Sequence, residues 1–138
     1  MKYWDTSALL RAWKEGWSPA SGMTRSHTLA EWFHIQVGRG MVFTNPDGTQ
    51  EKRALIWPVA AAELRRLVKH LTFVDLNASQ VLDALDTLAR MPGLKASAAH
   101  DFLHVRAGEL NNAQALVTLN LAEWAQLTAL KCELPVKP

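Results

Sequence analysis

The sequence lacks the features of secreted, membrane-spanning and zinc-finger proteins. Cys132 is the only cysteine in 138 residues, which excludes an internal disulfide and a cysteine zinc site. No apolar stretch has the length of a signal peptide or a membrane span. The formal net charge is only +2, which is compatible with nucleic-acid binding but is not evidence for it. We therefore expect a soluble, cytoplasmic protein.

Two further absences narrow the enzyme classes. The chain has neither a glycine-rich phosphate loop nor a Gly-x-Ser-x-Gly elbow, so a nucleotide binder or a small α/β hydrolase has little support. Internal repeats and low-complexity tracts are also missing. Hydrophobic residues make up 49% of the chain, which is typical of a globular protein. We expect residues 1–138 to form a single domain with one core.

Strand-like and helix-like segments alternate along the chain. Short apolar runs at residues 2–4, 23–25, 72–76 and 115–117 predict strands, and the segments between them have helical spacing. This alternation predicts a three-layer α/β/α sandwich with a mainly parallel sheet. In the helix predicted before Arg90, we expect Val81, Leu82, Leu85 and Leu88 to face inward. The turn signals in residues 44–49 fit either a hairpin or a plain surface loop.

Acidic and polar residues recur where predicted strands and helices meet. Asp5 follows the first strand and precedes a helix, a junction that lies at the ligand-binding edge of a parallel sheet. Helix capping alone is an equally open interpretation of Asp5. Glu31 and Asp101 lie early in predicted helices, and Asn120 follows a strand. An acid in a first helical turn is also common for dipole reasons alone.

If these strand ends are neighbours, several carboxylates meet and require a cation to neutralise them. Oxygen ligands without cysteine or a clear histidine set favour Mg²⁺ or Mn²⁺ over zinc. Such ions activate water and stabilise charge on a phosphate under attack. The pattern thus predicts metal-dependent phosphodiester hydrolysis. His100 and His104 have a zinc-compatible spacing but no third ligand, so we expect His104 to be a packed or hydrogen-bonded side chain.

Four blocks of sequence, taken together and in order, resemble a PIN domain. They are DTSALL at residues 5–10, SHTLAEW at 26–32, HDFLHVRAGE at 100–109 and LVTLN at 116–120. The similarity spans nearly the whole chain and extends to the VapC-type toxins of bacterial toxin–antitoxin pairs. It implies an endoribonuclease that uses Mg²⁺ or Mn²⁺. It also implies a homodimer that binds a VapB-like antitoxin.

The resemblance also implies roles for individual residues. Asp5, Glu31 and Asp101 correspond to the metal-binding catalytic acids, and Asn120 to the fourth catalytic position. That fourth position is often Asp in the family, and asparagine offers a carbonyl oxygen without a charge. It therefore stays open whether one ion or two bind, and whether Asn120 or Glu123 completes the site.

Three further residues are candidates for substrate binding. Ser7 has a counterpart that bonds a metal ligand or a phosphate, although capping of the first helix explains it equally well. Arg25 and Arg106 are placed to hold the RNA backbone, and for Arg106 pairing with an acid is equally open. An alternative function is a PIN-like module that no longer cleaves and instead binds nucleic acid or protein. Asn120 and the low basicity favour that alternative slightly.

Overall fold

A computed structural model describes residues 1–138. Seven strands and six helices follow one another along the chain. In order they are β1 (Tyr3–Trp4), α1 (Thr6–Lys14), β2 (Met23–Thr24), α2 (Ser26–Val37), β3 (Met41–Thr44), β4 (Gln50–Arg53), α3 (Trp57–Leu67), β5 (Thr72–Phe73), α4 (Ala78–Ala89), α5 (Ala98–Leu110), β6 (Leu116–Val117), α6 (Leu121–Ala125) and β7 (Cys132–Glu133).

The central sheet has five strands in the order β5-β2-β1-β6-β7. Every pairing between neighbouring strands in it is parallel. Strands β3 and β4 form a separate antiparallel pair, so residues 44–49 are the turn of a hairpin rather than a plain loop. With helices on both faces of the sheet, the predicted three-layer α/β/α class is confirmed.

Side chains alternate across the sheet and divide the core into two clusters. Tyr3 and Leu116 point to one face, where they pack with residues of α4, α5 and α6. Trp4 and Val117 point to the other face, where they pack with residues of α1, α2 and α3. The helices α2 and α5 therefore belong to opposite layers. Contacts between their side chains have to be made beyond an edge of the sheet.

The inward face predicted for α4 is partly wrong. Leu82 and Leu85 are 62% and 36% exposed, whereas Ala84 and Leu88 belong to the core or pack against it. Leu82 and Leu85 lie roughly 200° and 100° around the helix from Ala84. Helix α4 packs on its neighbour α5 along the side where the small Ala84 side chain lies. Leu82 and Leu85 therefore point away from α5.

Among all the helices, none has the length and apolar character needed to cross a membrane.

Successive strands are added first on one side of β1 and then on the other side. The chain runs outward from β1 through β2 to β5, and then returns to place β6 on the other side of β1. Such a reversal opens a crevice at the carboxyl ends of the two strands, where open α/β sheets bind ligands. Asp5 directly follows β1, and residues 118–120 directly follow β6. The fold therefore positions both segments at this crevice.

Candidate functional site

Asp5 both caps α1 and connects the ends of β1 and β6. Its Oδ1 accepts hydrogen bonds from the Ala8 backbone N–H at 2.8 Å and the Ser7 hydroxyl at 2.8 Å. Its Oδ2 accepts one from the Thr118 hydroxyl at 2.7 Å. The side chain is buried, and this burial raises its pKa despite these hydrogen bonds and the nearby His104. The two interpretations of Asp5, cap and site residue, are thus compatible.

The Glu31 carboxylate accepts a hydrogen bond from one residue in each of the two helical layers. Its Oε1 accepts hydrogen bonds from the Thr6 hydroxyl at 2.9 Å and from His104 Nε2 at 2.8 Å. Burial acts to raise the pKa of Glu31, but the hydrogen bonds and charge of His104, helped by Thr6, outweigh it and lower the pKa to about 2. Glu31 is therefore a carboxylate at neutral pH. Its second oxygen, Oε2, accepts no hydrogen bond from the protein.

His104 connects Glu31 to the core of the protein. It is buried, stacks on Trp124 with ring centroids 6.0 Å apart, and lies with Nδ1 2.7 Å from the Tyr3 hydroxyl. Burial raises the pKa of Tyr3, so its hydroxyl stays protonated and hydrogen-bonded to Nδ1. Because Glu31 is a carboxylate and can only accept, His104 Nε2 carries the hydrogen that is donated to it. The expectation of a packed, hydrogen-bonded His104 is confirmed.

Asp101 lies in the first turn of α5, half-buried beside the same histidine. Burial raises its pKa, the charges of Glu123 and Glu31 raise it further, and His104 and Trp124 lower it. The buried indole N–H of Trp124 makes no hydrogen bond of standard geometry, although it is close enough to Asp101 to affect that pKa. Asp101 and Glu123 line one cavity of about 280 Å³. Of the three acids, Glu31 contacts His104 directly, and Asp101 lies three residues before His104 on α5. Asp5 precedes Thr6, which donates to the same Glu31 oxygen.

Ser7 and Thr118 hydrogen-bond to Asp5, whereas the Asn120 side chain makes no hydrogen bond. Ser7 donates to Asp5 and accepts a hydrogen bond from the Leu119 backbone N–H at 3.0 Å. It does not cap α1, because Asp5 does. Asn120 is exposed, and its backbone N–H donates to Thr118 at 3.1 Å. The Asn120 amide is therefore free to meet a ligand.

The two candidate arginines are placed differently. Arg25 follows β2 at the carboxyl edge of the sheet, and its Nε is buried without a hydrogen-bond partner. No acid lies within 4.0 Å of it. Arg106 instead forms an ion pair with Glu109 at 3.1 Å, which is the acid-pairing alternative. Of the two, only Arg25 offers an unpaired guanidinium at this edge.

The group of side chains whose ligand atoms all lie within 4.8 Å of one another is His27, Glu31 and His100, so Asp5, Glu31 and Asp101 are not close enough in this structure to share one ion. Each of the three acids nevertheless keeps an oxygen of the kind that hard divalent cations prefer. The Asp5 carboxylate accepts hydrogen bonds from three donors and has about four lone-pair positions, so one lone pair remains for another partner. Glu31 keeps Oε2, and Asp101 accepts no hydrogen bond of standard geometry. Mg²⁺ and Mn²⁺ prefer such all-oxygen sets. The raised pKa values of Asp5 and Asp101 mark carboxylates whose charge a cation would stabilise.

Several contacts of this site were not anticipated from the sequence. Thr6, Tyr3 and Thr118 hold the acids or their histidine in place, and His27 lies against His100. A signal for the last contact is present in the sequence. His27 and Glu31 are four residues apart in one predicted helix, and His100 and His104 are four apart in another.

The chain was compared with protein-family models, with curated proteins and with solved structures, and none of them matches.

Proposed function

We propose that this protein is an endoribonuclease that depends on Mg²⁺ or Mn²⁺. The observation that carries the proposal is that Glu31 hydrogen-bonds Thr6, the residue after Asp5, and His104, one turn after Asp101, at the carboxyl edge of a parallel sheet. The three acids come from the end of β1, from α2 and from α5. Oxygen ligands supplied by separate rigid elements at a strand-order reversal are typical of a binding site rather than of a stabilising ion pair.

Each residue has a role in this reaction. Asp5, Glu31 and Asp101 would hold a divalent ion, which would supply an activated water and stabilise charge on the phosphate. Ser7 and Thr118 orient Asp5, while Thr6 and His104 orient Glu31. Arg25 is the candidate contact for the RNA backbone because its guanidinium has no acid partner.

The substrate and partner classes follow from the resemblance to VapC-type PIN domains. We propose RNA with an accessible single-stranded segment, the form in which proteins usually read RNA sequence. A homodimer and a VapB-like antitoxin belong to the same proposal. The candidate site supports the nuclease part of this proposal, because Asp5 and Asn120 follow β1 and β6, and Glu31 and Asp101 lie in the N-terminal halves of α2 and α5.

The test is RNA cleavage by purified protein with Mg²⁺ or Mn²⁺. We expect Asp5→Asn and Asp101→Asn to reduce the cleavage rate by at least about a hundredfold, because each change removes a charged oxygen ligand while keeping the side-chain shape. Asp86→Asn is the matched control, since Asp86 is exposed on α4 and forms no ion pair. Cleavage that persists in both site variants, or that continues in EDTA, would refute the mechanism.

The second candidate is a PIN-like module that binds nucleic acid or protein without cleaving it. The uncharged, exposed Asn120 at the fourth position is the observation that favours it. This candidate predicts RNA binding without cleavage under any divalent ion, and no change in thermal stability on addition of Mn²⁺. The nuclease predicts the opposite result in both measurements.

A further inference from the structure

Two pairs of side chains face each other where α2 and α5 meet beyond the sheet edge. His27 and Glu31 lie one turn apart on α2, and His100 and His104 lie one turn apart on α5. Glu31 and His104 are hydrogen-bonded. The rings of His27 and His100 are nearly parallel, with centroids 6.3 Å apart and planes 6° apart. The outer pair is exposed, whereas His104 is buried.

Three of these residues have the arrangement of metal ligands. A nitrogen of His27, a nitrogen of His100 and a carboxylate oxygen of Glu31 all lie within 4.8 Å of one another. Ligand atoms bonded to a tetrahedral zinc ion at the usual distances are about 3.4 Å apart. Movements of roughly 1 Å therefore close the site around an ion of that size. Exposed imidazoles can move this far by small side-chain rotations.

Glu31 is already held in the orientation that a ligand requires. Thr6 and His104 both donate to Oε1, so Oε2 is left for an ion. Hydrogen bonds of this kind to a ligating carboxylate commonly contribute ten- to hundredfold to metal affinity. The Tyr3 hydroxyl in turn fixes His104, so the support extends into the core.

We propose that His27, Glu31 and His100 form a binding site for a transition-metal dication of the Zn²⁺ class. Two imidazoles and one carboxylate are a set that zinc accepts with a water in its fourth position. Imidazole nitrogen also favours zinc, nickel and copper over magnesium. The site is therefore chemically distinct from the all-oxygen set of Asp5, Asp101 and Glu31, but it shares Glu31 with that set.

The first test measures ion binding and does not depend on nuclease activity. Zn²⁺ is titrated by calorimetry and Co²⁺ by visible absorption, both without Mg²⁺. We expect one ion per chain, and a loss of affinity of at least about tenfold in His27→Gln and in His100→Gln. His70→Gln is the matched control, because His70 is exposed in the turn after α3. It should bind as the wild type does.

Several outcomes would overturn this site. Unchanged affinity in His27→Gln or His100→Gln would show that zinc binds elsewhere, as would an equal loss in His70→Gln. Asp101→Asn separates this proposal from the nuclease. It should keep the zinc site while it eliminates RNA cleavage, so a failure of either proposal can be identified.

A consequence rests on the proposed nuclease function. Because Glu31 belongs to both sites, zinc bound by His27 and His100 should compete with Mg²⁺-dependent cleavage. In His100→Gln, the zinc concentration that halves cleavage should increase by at least about tenfold. If zinc inhibited the wild type and His100→Gln equally, the proposal that the two sites share Glu31 would be wrong.

Discussion

At the scale of single residues, Glu31 links its own helix α2 to two other helices. It accepts hydrogen bonds from α1 through Thr6 and from α5 through His104. The pKa of a typical glutamate, 4.5, is lowered to about 2 here because His104 and Thr6 outweigh the effect of burial. A carboxylate stabilised in this way contributes to folding only while it is charged.

The pH dependence of stability tests this assignment. The folded pKa of Glu31 lies below its unfolded value, so its contribution is present above about pH 4.5 and is lost as the pH falls towards 2. At pH 7, Glu31→Gln should lower the free energy of unfolding by about 1 kcal/mol, a value reduced for solvent screening of a half-buried group. The difference should shrink towards pH 2. Urea denaturation across this pH range measures it.

Asp86→Asn is a suitable control for the pH experiment, because the exposed Asp86 forms no ion pair. We expect its unfolding free energy to follow that of the wild type throughout. If Glu31→Gln were as stable as the wild type at pH 7, the hydrogen bonds from Thr6 and His104 would not favour the charged form.

At the scale of elements, the close approach of α5 to the sheet decides where His104 lies. Gly108 is one turn beyond His104 on the same helix. A Cβ atom at position 108 would lie 2.8 Å from Leu116 Cδ2 and 3.2 Å from Tyr3 Cβ. Glycine therefore allows α5 to pack directly on β1 and β6. At that separation the His104 ring reaches the Tyr3 hydroxyl.

Gly108→Ala should destabilise the protein although alanine is the better helix former. Helix propensity favours alanine by about 1 kcal/mol, whereas overpacking a tight core contact costs about 1–3 kcal/mol. We expect a net loss of about 1 kcal/mol in the free energy of unfolding, measured by chemical denaturation. Ala61→Gly, at an exposed position inside α3, measures the difference in helix propensity between alanine and glycine without a change in core packing. A more stable Gly108→Ala would contradict the close packing.

At the scale of the whole molecule, the candidate site joins the two helical layers across one sheet edge. Asp5 follows the central strand, Glu31 comes from the layer of α1, α2 and α3, and Asp101 from the layer of α4, α5 and α6. An ion held by all three would bind the folded state and not the unfolded chain. Binding of this kind stabilises the fold by an amount that increases with the logarithm of the ion concentration above Kd.

Mn²⁺ should therefore raise the melting temperature of the wild type. At a free concentration of about one hundred times Kd, the expected stabilisation is about 2.7 kcal/mol. Asp101→Asn should lose most of this effect, whereas Asp86→Asn should keep it. Thermal unfolding with and without Mn²⁺ measures the shift. Identical melting temperatures in both conditions would support the non-cleaving module instead.

Most of the architecture could be predicted from the sequence, because the signals for it are local. The turn in residues 44–49 and the strand–helix alternation each depend on a few neighbouring residues. The turn signals did not decide between a hairpin and a plain loop, because that depends on whether the flanking segments pair. Ser26 shows the limit of such signals. It is a good capping residue at the start of α2, but its hydroxyl donates to Asp75 instead, and the Asp75 carboxylate also accepts the Ser26 backbone N–H at 2.6 Å. Its partner is 49 positions away, a distance at which local patterns carry no information.

The sequence alone determined the α/β class and the places where acidic residues follow strands or begin helices. Only the tertiary structure decided which side chains meet there. Tyr3 and His104 are 101 positions apart, and Glu31 and His104 are 73 apart. The contact of His27 with His100 likewise required the two helical layers to meet at one edge of the sheet. Hydrophobic periodicity specifies which face of an element is buried, whereas the relative placement of two distant elements depends on how the whole core packs.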